Sequence, residues 1–259
     1  MIGIVYAIII ILANTIGAVS GMGGGVIIKP LFDAIGADSV TTITFYSTVA
    51  VFTMSLVSTL RQRKNMSINY KKVISLSIGS ILGGVIGNIV FEKILDFFKS
   101  DQIVQIIQIL IMILTICFAW IVSDGKYNFG LKITIWYVIT GVVLGFLASF
   151  LGIGGGPINV ALLMLCFGMT IKAATVYSII TIFCSQLAKI VTIGTTTGFD
   201  RYDLKILFYI IPAAIIGGFL GAALSGKLSA KKVRIVYQLV LIFVLAINIY
   251  NGLNIILHW

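Results

Sequence analysis

The sequence predicts an all-α polytopic membrane protein built from two inverted-topology repeats. Three observations predict this: an apolar composition, eight apolar stretches of membrane-spanning length, and a glycine-rich motif found once in each half of the chain. Of 259 residues, 59% are hydrophobic and 10% charged. Soluble domains run near 45–50% apolar and about 25% charged, so a body this size could not be wetted from so few charges. Mean hydropathy is +1.15. The excess of 18 basic over 8 acidic residues fits the positive-inside bias of cytoplasmic loops. No basic tract is interleaved with aromatics, which argues against a nucleic-acid partner; the lipid bilayer is the expected one.

A helix needs about 20 apolar residues to cross the hydrocarbon. Stretches 3–20, 40–60, 73–91, 103–122, 133–151, 173–194, 204–224 and 235–257 meet that length. Polar segments 61–65, 92–101, 123–128, 200–203 and 229–232 separate them. The first stretch lacks a charged n-region and a small-residue cleavage site, so it is expected as a span rather than a signal peptide. The first and fifth stretches run on through a triple glycine into short apolar pieces, 26–36 and 157–168. At 1.5 Å per residue those pieces are about 16–18 Å long. They cannot span alone and need shielding by protein.

The chain is duplicated. Gly21, Gly23, Gly24 and Gly25 match Gly152, Gly154, Gly155 and Gly156 at an offset of 131. The same offset aligns Tyr46 and Ser47 with Tyr177 and Ser178, and Phe52 with Phe183. Gly83, Gly84 and Gly87 match Gly217, Gly218 and Gly221 at an offset of 134. The repeats are therefore placed at 1–125 and 132–259, within one membrane domain. At these residues the sequence resembles the sulfite exporter TauE/SafE family of bacterial membrane transporters. The carriers are the paired glycine motifs, Pro30 after the first, the later GGxxG in each half, and the duplication itself. The resemblance covers essentially the whole chain. It departs at the second motif, where Pro157 follows the glycines directly and Ala161 stands opposite Pro30.

Loop charges decide the parity of the repeats. With eight plain crossings, basic residues divide almost evenly between the sides. If the short pieces each reverse the chain, one side collects Arg61, Arg63, Lys64, Lys71, Lys72, Lys126, Lys132, Lys172, Lys227, Lys231, Lys232 and Arg234. The other keeps only Lys93, Lys99, Arg201 and Lys205, together with Asp38, Glu92, Asp96, Asp101, Asp200 and Asp203. Equivalent loops also exchange charge: 61–72 is basic and its counterpart near 200–205 balanced, while 92–101 is acidic and 225–234 basic. The reading is five membrane segments per half, opposite insertion of the halves, and both termini outside a bacterial cytoplasmic membrane.

Inverted repeats with broken helices are a recurrent transporter design, with the substrate at the repeat interface. Glycine lets backbone N–H groups face a ligand with no Cβ between, and the helices that follow add partial positive charge. Gly23, Gly24, Gly25, Gly154, Gly155 and Gly156 are thus candidate anion-binding residues. Tyr46, Ser47, Tyr177 and Ser178 are candidates to line the path by their symmetric placement. The competing reading of the glycines is close helix packing. The mid-span GGxxG pairs are read as packing.

Lys189 lies well inside an apolar stretch opposite Ser58, and membrane-embedded charge is costly and functional by default. It is the eleventh candidate, with snorkelling to the interface as its competing role. Lys29 carries the same two alternatives, the second being exposure to the cytoplasm. Asp33 is the one carboxylate that could lie at depth, and the equivalent position in the other repeat is Met164, which gives little support to a proton relay. An inside-negative potential already favours anion export by about 2.3 kcal/mol per charge per 100 mV.

The single histidine is His258, so no imidazole is available inside the fold for a metal centre or nucleophile dyad. No phosphate-binding G-x-x-x-x-G-K-[ST] occurs. Cys117, Cys166 and Cys184 sit far apart in apolar runs, as small buried hydrophobes would. No enzyme activity and no cofactor are expected. The resemblance implies secondary transport, as an exporter, of a small sulfur-containing anion such as sulfite or an organosulfonate. A channel or permease for another small anion or solute is the alternative.

Overall fold

The structure is a computed structural model and describes residues 2–62, 69–123 and 128–257. Among the described residues the chain forms helices and no strand. The α-helices are α1 (Ile2–Ser20), α2 (Gly25–Ile35), α3 (Val40–Gln62), α4 (Tyr70–Phe98), α5 (Asp101–Val122), α6 (Thr134–Phe150), α7 (Pro157–Phe167), α8 (Ile171–Thr196), α9 (Leu207–Lys227) and α10 (Ala230–Leu257). A 3₁₀ turn at Leu204–Ile206 leads into α9. Seven of these helices are long and apolar enough to cross a membrane: α1, α3, α4, α5, α8, α9 with its 3₁₀ turn, and α10. The expected span at 133–151 forms α6, which has 17 residues and reaches about 25 Å, at the short end of the spanning range. The two short pieces form α2 and α7, of 11 residues each.

Glycines set both ends of the short helices in both repeats. Gly24 and Gly156 are the N-caps. Gly36 and Gly168 terminate the helices in the left-handed conformation, at φ 65° and 61°, donating N–H to Phe32 and Met164. A left-handed C-terminal residue costs a glycine no Cβ clash. Each short helix folds back along the long helix before it. Phe32 of α2 stacks on Tyr6 of α1 with centroids 3.8 Å apart, and Phe167 of α7 stacks on Tyr137 of α6 at 3.8 Å.

Packing exchanges the halves. α1 lies against α9 as α6 lies against α4; α3 meets α9 as α8 meets α4; α5 touches α7 as α10 touches α2. α3 and α8 pair at the centre, and Phe52 stacks on its own repeat mate Phe183 at 5.4 Å. The GGxxG residues do what packing glycines do. A methyl built on Gly83 or Gly87 would lie 2.0 or 2.4 Å from the carbonyl oxygens of Val142 or Phe146 on α6. On Gly217 or Gly221 it would meet the carbonyls of Ile11 or Thr15 on α1, at 2.8 and 2.5 Å. Crossings this close need residues without side chains.

Contacts between connecting segments gather at two ends of the bundle. At one end Tyr6 donates to Asp38 (2.6 Å), the Val40 N–H donates to Asp101 (3.3 Å), and Arg201 forms a two-pronged ion pair with Glu92 (2.6 and 3.2 Å). Tyr202 stacks on Phe45 at 4.0 Å beside them. At the other end the N–H groups of Phe129 and Leu131 donate to Leu165 and Cys166 (2.7 and 2.8 Å), and the Asn69 N–H donates to Tyr177 (3.0 Å). Arg63, Lys64, Lys126, Asp124 and His258 lie outside the described residues. The cysteines are free; Cys117 is exposed on the outside of the bundle rather than buried, and Cys166 and Cys184 are half-buried. Exterior cysteines fit a surface that faces lipid, where a thiol is as compatible as an aliphatic side chain.

Candidate functional site

The two glycine turns begin with the same backbone. Gly21 and Gly23 have φ of 77° and 79°, and their mates Gly152 and Gly154 have 66° and 70°. All four angles belong to the left-handed region that favours glycine. The Gly23 N–H donates to Gly17 C=O (3.3 Å), and the Gly154 N–H donates to Ala148 C=O, the equivalent residue (3.2 Å). The turns abut one another. A methyl on Gly25 would lie 2.1 Å from Ile153 O, and one on Gly155 would lie 2.9 Å from Met22 O. Val51 of α3 and its mate Ile182 of α8 fill the space between, at 2.4 Å from a methyl on Gly154 and 2.3 Å from one on Gly155. All of residues 21–25 and 152–156 are buried. This is an occluded centre in which the glycines serve close packing.

The backbone donors of these turns are nevertheless uncommitted. Among the described residues, the N–H groups of Gly24, Gly25, Gly155 and Gly156 have no acceptor. Each pair opens a helix, where partial positive charge favours an anion. The Gly156 backbone is extended (φ −176°), and a methyl there would meet only the tip of Ile153, at 3.0 Å.

The hydroxyls around the turns break the symmetry. Ser178 donates to Gly21 C=O (2.6 Å), and Thr175 donates to Ile171 C=O (2.8 Å) and approaches Ser20 C=O (3.5 Å). Their mates Ser47 and Thr44 are as deeply buried, at 0% and 2% exposure, yet neither hydroxyl has a partner among the described residues. Ser47 Oγ lies 2.8 Å from a methyl built on Gly25, and Thr44 Oγ1 lies 2.7 Å from one on Gly152. Asn14 Oδ1 and Asn159 Oδ1 are likewise buried without a partner. Buried polar groups are nearly always paired, so this cluster of orphans is unusual.

Tyr46 and Tyr177 lie away from this centre. Tyr46 donates to Asp203 C=O (3.0 Å) at one end of the bundle, and Tyr177 accepts the Asn69 N–H at the other. Asn69 caps α4 and Asp203 caps the 3₁₀ turn before α9, so each tyrosine ties its helix to the start of a helix in or next to the opposite repeat.

Lys189 does not snorkel. It is 1% exposed, its Nζ donates to Ser149 C=O at the end of α6, and the Phe91 ring lies 5.5 Å away. Lys29 does not face the cytoplasm either: it pairs with Asp33 at 2.8 Å, and both side chains are 4% exposed. The spacing of four on one helix was the signal for that pair. Asn14, Asn88, Gln108 and Asn159, all buried, were not singled out by sequence; a polar amide within an apolar stretch was the signal available.

The sulfite exporter TauE/SafE family profile matches residues 6–249. A probable membrane transporter protein of Bacillus subtilis, YunE, is 27% identical over 96% of this chain and 98% of its own length. A probable membrane transporter protein of Methanocaldococcus jannaschii, MJ0441, is 25% identical over 89% of each chain. No solved structure matches significantly. The chain belongs to the sulfite exporter TauE/SafE family of membrane transporters.

Proposed function

We propose that this transporter carries a small sulfur-containing anion, sulfite or an organosulfonate, outward across a bacterial cytoplasmic membrane, and binds it where the two glycine turns meet. The observation that carries this reading is the pair of buried, unpartnered hydroxyls, Thr44 and Ser47, beside two opposed turns with uncommitted N–H groups. Hydroxyl and N–H donors are the groups that suit a tetrahedral or pyramidal oxyanion. The buried cations Lys29 and Lys189 lie on α2 and α8, which flank the turns, and add positive potential without lining an open pore. In this account the repeats are inverted in the membrane and alternate around the turns. The basic end bearing Arg61, Lys71, Lys72, Lys132, Lys227 and Lys231 faces the cytoplasm, and both termini lie outside. The exchange of contacts between halves and the positive-inside rule support that orientation.

Counterflow of labelled sulfite and labelled organosulfonates in liposomes holding the purified protein tests the reading. Saturable exchange of one of these anions, at carrier rates, is expected. Conduction far above carrier rates, or no exchange of any of them, contradicts it.

A further inference from the structure

The repeats differ chemically most sharply in the helix after the glycine turn. α2 carries Lys29 and Asp33; the equivalent residues of α7 are Val160 and Met164. Lys29 Nζ donates to Asp33 Oδ2 at 2.8 Å. Asp33 Oδ1 is buried and has no partner among the described residues, and so is Gln108 Oε1 of α5. The Gln108 amide N–H donates instead to Phe150 C=O, at 2.8 Å. Asp33 and Gln108 line one cavity of about 10 Å³, with Lys29 and Asn248 on its wall. That volume holds one water at most.

Two buried acceptors on one small cavity lack a donor. A small metal cation would sit beside the Lys29 ammonium with too few oxygen ligands. A proton meets both needs at once. On Asp33 Oδ1 it turns an acceptor into an O–H donor, for which Gln108 Oε1 is an acceptor on the same cavity.

We propose that Asp33 is a proton-binding site that couples proton movement to anion movement, with Lys29 as the cation it releases. The proposal rests on the reading of this chain as an anion carrier. A proton from water adds to the Asp33 carboxylate; one O–H bond forms, and the pair changes from net neutral to net +1. Lys29, one turn of helix beyond Gly25, is then the uncompensated cation beside the anion site. Proton and anion favour one another's binding, because such coupling is reciprocal. The empty carrier, with its ion pair, and the carrier loaded with one proton and one monoanion have the same charge. Keeping that charge constant avoids moving net charge through hydrocarbon, which is costly. An anion made inside the cell then leaves with a proton, down its own gradient.

The neighbouring elements present few competing groups. Tyr6 of α1 is committed to Asp38, Tyr46 of α3 to Asp203 C=O, and Asp101, which opens α5, to the Val40 N–H. α10 offers the amides of Asn248 and Asn251, which donate to Val244 and Pro30 carbonyls. Lys189 of α8 is a further buried cation, and it and Lys29 interact electrostatically.

The test uses the full chain in liposomes that enclose a pH-sensitive dye, with methanesulfonate as the probe. Methanesulfonate is permanently ionised and brings no proton of its own. An inward gradient is expected to acidify the lumen of wild-type vesicles whether or not the membrane potential is clamped, and apparent affinity should rise on acidification by up to about tenfold per pH unit for one linked proton. Asp33→Asn should keep labelled methanesulfonate exchange and lose lumen acidification. Anion entry without acidification in wild type, or acidification that persists in Asp33→Asn, overturns the proposal. If methanesulfonate does not move in wild type, the proposed substrate class is what fails, and infrared titration of the reconstituted protein judges Asp33 separately. A protonated-carboxyl band that is lost in Asp33→Asn supports the site; no such band while the protein remains folded overturns it.

Discussion

The first and second repeats share a scaffold and divide the chemistry. Turn geometry, short-helix C-caps and helix crossings recur: Gly23 with Gly154, Gly36 with Gly168, and the α1–α9 crossing with α6–α4. The hydrogen bonds of the turn hydroxyls and the buried charges do not recur. Ser178 is spent on Gly21 C=O, while Ser47 is unpartnered. Lys29 and Asp33 oppose Val160 and Met164, and Lys189 opposes Ser58. Duplication thus supplies a symmetric frame, and the groups that can recognise charge are added to one side of it or the other. A polar residue that structure alone required would be expected in both copies.

The comparison is tested most severely at the glycines. Gly25→Ala places a methyl 2.1 Å from the Ile153 carbonyl oxygen, a clash with backbone from the other repeat that no rotamer relieves. Loss of folded protein is expected, at or beyond the roughly 1–3 kcal/mol typical of overpacking. Gly156→Ala, in extended backbone against a movable Ile153 tip, should shift the unfolding temperature in detergent little, by less than about 1 kcal/mol. Equal tolerance of both would remove the close meeting of the turns.

Lys189 and Ser58 come next. Lys189→Gln is expected to lower apparent anion affinity by about tenfold, which corresponds to about 1.4 kcal/mol of lost attraction. Lys189→Arg should retain part of it. Ser58→Ala removes a hydrogen bond to Gly218 C=O (3.2 Å), and should cost about 1 kcal/mol of stability with affinity unchanged. Affinity measured by inhibition of labelled-anion counterflow separates the two roles. An unchanged affinity in Lys189→Gln would leave recognition to the backbone and hydroxyls.

A smaller effect separates the paired serines. Ser47→Ala deletes an oxygen that has no partner, so stability should hold or rise slightly while anion affinity falls. Ser178→Ala should do the reverse, with a stability loss of about 1 kcal/mol. Matching behaviour of the two variants would contradict an anion site displaced toward the first repeat.

Much of the fold was legible because its signals are local. Apolar length marks the helices, and the caps of α2 and α7 are glycines visible in the sequence. The short α6 was less so, because composition does not show that Ile133 precedes the first turn rather than joining it. Pairings between helices were not legible. Nothing in the sequence says that Lys189 meets Ser149, or that Tyr46 and Tyr177 bond to distant helix caps. Those contacts depend on which helix faces which, and a span of mostly Ile, Leu and Val specifies that weakly. The proposed site shows in the sequence as a pair of motifs but not as an asymmetric one, because a hydroxyl with and without an acceptor has the same letter.

The central claim is that the repeats enter the membrane in opposite directions, and side-specific labelling tests it most directly. In a chain with Cys117, Cys166 and Cys184 replaced, one cysteine is placed at Phe97 in the 92–101 segment and, separately, at Lys231 in its counterpart 225–234; both positions are exposed. An impermeant thiol reagent applied to intact cells should label Phe97→Cys, and should label Lys231→Cys only after the membrane is opened. Labelling of both from the same side would contradict the account.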